Sequence, residues 1–574
     1  MTIHPKDLRT LLIRVLLVTL AIRAVPLFSA DLAPGEVAAA WGLAANGPSA
    51  EPVAQFHSSW TMISGGAASL TRVPTLLLEL ALPLLAVGLA RVAGWGAIPG
   101  LLAGLILAMA PLGIDGGFRV DGGSLAGVGA LLSLWLLRRG LRDASVPWVV
   151  ASGVAVALAG FLASPVLLMV PGGLYLAWRV VTTDRLRATA AGTWAAAAAV
   201  ALGARWLVVG TWANQANAAA AWLLDPALSG VPSGFAHAPL VSGAHALVAT
   251  LPGGPIGAMA RQLGLTAAPW WTAILGALLG VVAVWGLGTG RVRPDPVDAE
   301  EPVVSTEEGA GEPDGWRTLG VSASTLPREL GDRDSLPMAL GLLGAVAWVA
   351  VAASQGVADG VAEAMGVARA VSAMLLGLGL TAVVMPGNLP DETHARPARR
   401  RFLGAMALFA LGIFALGAMQ LLAHTQAPDR MAGRKVAVHV RETIGQTGIV
   451  VALGLRGLPI AFLLDPLRNH TQVLVSSLNR DAVQTVLAKA VAAKPDQIVL
   501  AGDRDALGGD GRAPVLTPMG PLYTMIEASL ATFGYLATDD GHRYLGDSAA
   551  RAFALVQAAD PTTLRPQLAP GQTP

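Results

Sequence analysis

Residues 11–28, LLIRVLLVTLAIRAVPLF, indicate the class of fold, because this run is almost entirely apolar. A helix of about 20 mainly apolar residues crosses a bilayer core about 30 Å thick. Lys6, Arg9 and Arg14 lie before or within the start of this run, as they would in a signal peptide. No convincing small-residue cleavage site follows, and many more apolar runs come after it. We therefore predict a retained signal-anchor helix.

The remaining apolar runs predict a polytopic membrane protein. They lie at about 73–92, 97–114, 122–138, 147–160, 163–180, 188–211, 267–288, 337–354, 364–385 and 402–424. The total is about 11 membrane-spanning helices, and the pair 147–160 and 163–180 could instead be one interrupted segment or a re-entrant hairpin. The 574 residues are 54% hydrophobic and 13% charged, which excludes a water-soluble globule and a disordered chain. The net charge of +1 gives no reason to expect nucleic acid, and the lack of cysteine excludes disulfides and thiolate sites.

Arginine-rich short loops are expected on the cytoplasmic side of the membrane. This rule predicts a cytoplasmic N-terminus, with loops 29–72, 115–121 and 213–262 outside. Segment 291–335 is acidic and rich in Pro and Gly, so we expect a flexible cytoplasmic linker there. The predicted domains are a transmembrane domain over 1–424 and an extracytoplasmic domain over 425–574.

The C-terminal region alternates between two local patterns. Short β-prone runs are VAVHV (436–440), IVVALGL (449–455), IAFLL (460–464), VLVSSL (473–478) and IVLAG (498–502). Helical patterns cover about 481–493 and 522–533. Such alternation predicts a small α/β domain.

Two carboxylates follow the first helix, Asp31 and Glu36, and an apolar segment that we expect to be helical and interfacial covers 36–45. A partly desolvated carboxylate at the mouth of a membrane helix can act as a general base. The alternative for Asp31 is that it only caps a short helix that follows it in the chain, since Ser29 and Asp31 are both good N-cap residues.

Other polar side chains are predicted at the same membrane face. His57 and Arg72 could contact a phosphate, or could be an interface residue and a headgroup anchor. Asp115, Arg119 and Asp121 lie in the short loop IDGGFRVDGGS, where an Asp–Arg pair closing a helical hairpin is the alternative to a functional site.

The order of these features resembles that of the GT-C superfamily of polytopic glycosyltransferases, in particular bacterial members similar to protein O-mannosyltransferases and aminoarabinose transferase. The acidic residues Asp31 and Glu36, then His57-Ser58-Ser59-Trp60, then Leu70-Thr71-Arg72-Val73-Pro74 match the family's order. Further matches are Ala110-Pro111, Arg119-Val120-Asp121 and the stretch Gly160 to Pro165. The chain departs from the family pattern at Ser58-Ser59, where the family has two prolines, and at Ser164, where it has lysine.

The resemblance implies transfer of a sugar from a polyprenyl-phosphate-linked donor to a glycan, lipid or protein acceptor at the outer face of a bacterial inner membrane. Asp31 is then the first choice of base and Glu36 the second, while Arg119, Arg72 and His57 would bind the donor phosphate. Asp115 or Asp121 would orient these groups or hold a divalent cation, for which oxygen ligands favour Mg²⁺ or Mn²⁺. The alternatives are a catalytically inactive scaffold or binding subunit, motivated by the departures, and a transporter, which paired intramembrane charges would favour.

Overall fold

The structure is a computed structural model, and it describes only part of the 574 residues. The described residues are 5–29, 31–32, 36–37, 40–41, 43–44, 47–48, 52–109, 122–180, 184–209, 326–355, 360–384, 431–444, 448–467, 472–476, 478–504, 507, 520–538, 543–545 and 548–555. The chain divides into two compact units. The first comprises Met1–Ser29, Ala38–Trp60 and Ser69–Gln426, and the second comprises Ala30–Val37, Thr61–Ala68 and Ala427–Pro574.

The first unit is built mainly from helices. In chain order they are α1 (Pro5–Ser29), α2 (Pro52–Ile63), α3 (Ala68–Thr71), α4 (Val73–Val92), α5 (Ala97–Met109), α6 (Gly123–Arg142), α7 (Val146–Leu162), α8 (Val170–Val180), α9 (Asp184–Val209), α10 (Leu326–Gln355) and α11 (Val361–Val384). A two-stranded antiparallel ladder joins β1 (Leu43–Ala44) to β2 (Gly47–Pro48). The helix expected over 36–45 therefore does not extend through Leu43.

The long helices have the length and composition of membrane spans. Within the described ranges, five helices are long and apolar enough to cross a bilayer: Val73–Val92, Gly123–Arg142, Arg185–Val208, Ser335–Ala352 and Val361–Thr381. The apolar window of α11 is 89% buried, whereas that of α9 is 17% buried. Helix α11 therefore lies at the centre of the bundle, and α9 presents most of its surface outward. The predicted spans 267–288 and 402–424 lie outside the described residues.

Buried apolar side chains of the first unit pack into a hydrophobic core. It includes Leu82 of α4, Leu131 of α6, and Val371 and Met374 of α11. Close approach of α6 and α11 depends on glycine, since a Cβ on Gly366 would lie 1.9 Å from the Gly123 carbonyl oxygen. No side chain fits at that crossing without moving a backbone.

In this unit the structure supports one of the alternatives left open above and revises one prediction. The segment 147–180 is interrupted, because α7 ends at Leu162, Ala163 is extended and a 3-10 helix covers Ser164–Met169 before α8. Arg205 donates to the Phe161 carbonyl oxygen at 2.9 Å, which satisfies an acceptor at the end of α7. Helix α10 begins at Leu326, so the part of the predicted linker over 326–335 is helical.

The second unit contains the α/β region. Its elements are α12 (Ala432–Thr443), β3 (Ile449–Leu453), α13 (Gly454–Leu464), β4 (Val473–Ser476), α14 (Arg480–Ala492), β5 (Gln497–Asp503), α15 (Gly520–Thr532), β6 (Tyr535–Ala537), β7 (Arg543–Leu545) and β8 (Ser548–Leu555). The sheet has the order β4-β3-β5-β8-β6, and β7 pairs with β8. Strands β4, β3 and β5 are parallel, while β8 runs antiparallel to β5.

Both faces of this sheet are covered by helices. Successive strand residues point to opposite faces, so Val451 and Leu500 pack in one core with α14 and α15, whereas Val450 and Val499 pack in the other with α12 and α13. Burial on both faces explains why the predicted strands read as continuous apolar runs.

Two predicted strands are helices. The run VAVHV lies in α12, where Val436, Ala437 and Val440 are buried at helical spacing. The run IAFLL lies in α13, which buries Ile460 and Phe462. A short apolar run fits a strand and one buried face of a helix equally well, and the packing decides between them. The strands 449–453, 473–476 and 497–503 and the helices α14 and α15 agree with prediction.

Candidate active site

Asp31, the first choice of base, interacts with the start of helix α12. Its Oδ2 accepts a hydrogen bond from the backbone N–H of Arg434 at 3.0 Å. Its Oδ1 lies 3.8 Å from the Arg434 Nε, and the Asp31 side chain is 10% exposed. The Arg434 amide belongs to the first turn of α12, where amides lack helical acceptors. Asp31 therefore caps this helix, which lies 403 residues further along the chain.

The neighbouring Gly433 makes room for this contact. A Cβ at position 433 would lie 3.0 Å from Asp31 Oδ2, which is tighter than most contacts of that kind. The glycine thus lets the carboxylate approach the helix end. Glu36, the second choice of base, is 1% exposed and belongs to the same unit as Asp31.

His57 is buried in α2, with 3% of its surface exposed. Burial lowers the pKa of its imidazole to about 4, so the ring is neutral at pH 7. The Phe56 ring meets it edge-on, with 5.3 Å between ring centroids. As a neutral group His57 can donate a hydrogen bond to a phosphate, but it cannot offer the positive charge that an imidazolium would.

Arg72 occupies the N-cap position of α4 and is 3% exposed. Its neighbourhood is fixed in part by Trp60, whose Nε1 donates to the Leu70 carbonyl oxygen at 2.8 Å. This hydrogen bond ties α2 to the segment that leads into α4. Arg72 therefore stands at the N-terminus of a helix, an end that favours anions.

The remaining candidates, Asp115, Arg119 and Asp121, lie outside the described residues. Within the part of the chain that the structure does describe, no group of three or more His, Cys, Asp or Glu side chains could hold a metal ion.

The sequence reasoning missed a polar cluster inside the first unit. Arg369 Nη2 of α11 donates to Oε1 of Glu79 in α4. Ser124 Oγ of α6 donates to the same oxygen at 2.5 Å. Each charge interrupts an otherwise apolar helix, which marks an intramembrane ionisable residue. That signal was present in the sequence, but nothing in it pairs Glu79 with Arg369.

Comparison with known proteins gives fold-level likeness alone. No family model matches the chain, and no curated protein matches it. The chain is similar to the crystal structure of ArnT from Cupriavidus metallidurans bound to undecaprenyl phosphate, with 14% identity and a TM-score of 0.41, covering 94% of this chain and 97% of that one. It is similar to the apo oligosaccharyltransferase of Archaeoglobus fulgidus, with 12% identity and a TM-score of 0.44, covering 97% of this chain and 75% of that one.

The same archaeal enzyme in complex with Zn and sulfate matches with 12% identity and a TM-score of 0.42, covering 88% of this chain and 70% of that one. These neighbours are GT-C glycosyltransferases, the class that the motif order resembles. Likeness at this level carries no argument about individual residues or substrates.

Proposed function

We propose that the protein is a membrane glycosyltransferase that moves a sugar from a polyprenyl-phosphate-linked donor to an acceptor hydroxyl at the outer face of a bacterial inner membrane. The observation that carries this proposal is that ionisable residues of the sequence segment 29–72 are individually buried. Asp31, Glu36, His57 and Arg72 are all buried or nearly so, although charged residues are seldom buried without a partner or a role.

In the proposed reaction the acceptor oxygen attacks the anomeric carbon of the donor sugar. The bond from that carbon to the phosphate oxygen breaks, and the acceptor proton passes to a carboxylate, Asp31 in the first instance and Glu36 in the second. Arg72 and Arg119 stabilise the negative charge that develops on the leaving phosphate, and neutral His57 donates a hydrogen bond to it. Asp115 and Asp121 orient the arginines.

Replacement of Asp31 by Asn tests the role of the base. Asparagine keeps a side-chain oxygen that can accept from the Arg434 amide, so the cap survives while the base is lost. We expect transfer of sugar from a purified polyprenyl-phosphate donor to fall by about 10²–10⁴-fold. Asp481→Asn is the matched control, because Asp481 is an exposed carboxylate in the first turn of α14.

Full activity of Asp31→Asn would exclude Asp31 as the base, and the same assay on Glu36→Gln would then test the second choice.

A second function has one observation in its favour. Because Asp31 is engaged in capping α12, the chain could be a non-catalytic scaffold or binding subunit. Wild-type protein that consumes no lipid-linked sugar and purifies with a stable protein partner would establish that alternative.

A transporter is the third candidate, and the Glu79–Arg369 pair is the kind of feature that would favour it. Uptake into vesicles that contain the purified protein would separate it from the other two. Substrate accumulation inside such vesicles without any sugar transfer is the outcome that would replace the glycosyltransferase proposal.

A further inference from the structure

The polar cluster formed by Glu79, Ser124 and Arg369, here called the polar lock, joins three helices at one level of the bundle. The Glu79 side chain is 1% exposed and that of Arg369 is 7% exposed. Both donors converge on Glu79 Oε1. Removing two charges from water costs free energy that the ion pair recovers only with good geometry and further hydrogen bonds. The Ser124 hydroxyl supplies such a hydrogen bond.

The three helices that the lock joins run parallel. Residue numbers rise together along α6 and α11, because Gly122 lies beside Glu363 and Gly127 lies beside Ala370. They also rise together along α4 and α6, because Glu79 contacts Ser124 and Leu82 lies beside Gly127. The N-terminal ends of α4, α6 and α11 therefore lie at the same end of the bundle.

That end carries Arg72, which is assigned above to the donor phosphate. Arg72 is the N-cap of α4, seven residues before Glu79, which corresponds to about 10 Å along the helix. The predicted orientation places these ends at the outer face of the membrane, where the aligned N-termini add positive electrostatic potential.

We propose that Glu79, Ser124 and Arg369 are positioning residues. They fix the N-terminal ends of α4, α6 and α11 relative to one another, and so hold Arg72 in the geometry that a lipid phosphate needs. The first part of this proposal, that the three residues fix the helix ends, concerns the bundle alone. The second part, that they position Arg72 for a lipid phosphate, rests on the proposed function. A hydrocarbon surrounding gives apolar helices no strong preference for one register, and a buried ion pair supplies that preference.

A disulfide reporter tests the first part without any ligand. The chain has no cysteine, so an introduced pair has no competitor. A Cβ at position 122 would lie 2.6 Å from Glu363 Cγ, so Gly122→Cys with Glu363→Cys brings two thiols within bonding reach at the helix ends. The rate of oxidation of this pair in detergent reports how often the ends of α6 and α11 meet.

The informative lock variant is the double replacement Glu79→Gln with Arg369→Met. Replacing both partners avoids an unpaired buried charge, so the protein is expected to fold with a thermal unfolding temperature near that of the wild type. We expect the oxidation rate to fall by about tenfold in this variant. Thr75→Val is the matched control, because Thr75 lies one turn from Glu79 and is 1% exposed but is outside the lock. It should oxidise at the wild-type rate.

An unchanged oxidation rate in the folded double variant would overturn the lock. Native mass spectrometry of the protein without the cysteine pair tests the second part, using added undecaprenyl phosphate as the probe. We expect the lipid adduct in the wild type and in Thr75→Val, and its loss in the double variant. Retention of the adduct there would refute the link to the phosphate. A wild type that binds no such lipid would instead refute the proposed function, and the oxidation rates would still decide the lock.

Discussion

Replacing Asp31 by Ala should loosen the start of helix α12. The mutation removes the acceptor for the Arg434 amide, which the native carboxylate contacts at 3.0 Å. Loss of an N-terminal cap costs about 1 kcal/mol, within a range of about 0.5–2. The ion pair adds little, because its separation is 3.8 Å and the Arg434 side chain is 42% exposed, so solvent screens it to between about 0 and 1 kcal/mol.

Hydrogen exchange of a peptide that covers residues 432–443 measures this cost directly. One or two kcal/mol correspond to a change of about 5–30-fold in an opening equilibrium, so Asp31→Ala should accelerate exchange of the first-turn amides by about that factor. Asp31→Asn should stay within about threefold of the wild type, because its side-chain oxygen still accepts from the amide. Arg434→Ala keeps the backbone N–H and should also change exchange little.

The order of these variants is the critical result. If Asp31→Asn accelerates exchange as much as Asp31→Ala does, the amide hydrogen bond is not what holds the helix start, and the capping argument is wrong. Equal exchange in all variants would show that Asp31 does not stabilise α12. The same measurement is a control for the activity assay. If Asp31→Asn keeps the wild-type exchange rate at the start of α12 but transfers no sugar, its loss of activity is not caused by loss of the cap.

Three further predictions concern the first unit. Burial lowers the pKa of His57 from 6.5 to about 4, so as the pH falls from about 6.5 towards 4 the unfolded state takes up a proton that the folded state does not. Over this range the free energy of unfolding of the wild type should fall by on the order of 3 kcal/mol more than that of His57→Gln, as thermal unfolding at several pH values would measure. Gly366→Ala should destabilise the bundle by about 1–3 kcal/mol, because its Cβ would meet the Gly123 carbonyl oxygen at 1.9 Å. Gly192→Ala, with no atom within 4 Å of its Cβ, should stabilise α9 by about 0.5–1 kcal/mol in the same unfolding assay.

The helical part of the fold could be predicted because its signal is local. Each apolar run of about 20 residues satisfies its own backbone hydrogen bonds as a helix, whatever packs beside it. The start of α4 follows from such a run, whereas the starts of α9 at Asp184 and of α10 at Leu326 do not, because their first residues carry charges. For α10 the composition indicated a linker, although the backbone from Leu326 is helical.

The C-terminal unit was harder to predict because its apolar runs are short. The strands 449–453 and 497–503 were predicted, at 449–455 and 498–502, since burial on both faces makes their central residues apolar. The helix α12 was missed because its alternating VAVHV also satisfies a period of two. Its buried positions 436, 437 and 440 become distinctive only when the sheet that they pack against is known.

The predicted chemistry depends on contacts between residues far apart in the chain. A carboxylate just after the first membrane helix satisfies the requirements of a base and those of a helix cap equally well, since both roles need an acceptor oxygen beside a donor. The helix that Asp31 caps is not the neighbouring one, because its partner is the Arg434 amide, 403 residues away. Glu79 likewise pairs with Arg369, 290 residues away. No spacing rule connects such pairs. A buried charge in an apolar helix therefore predicts that a partner exists, while the identity of the partner comes from the fold.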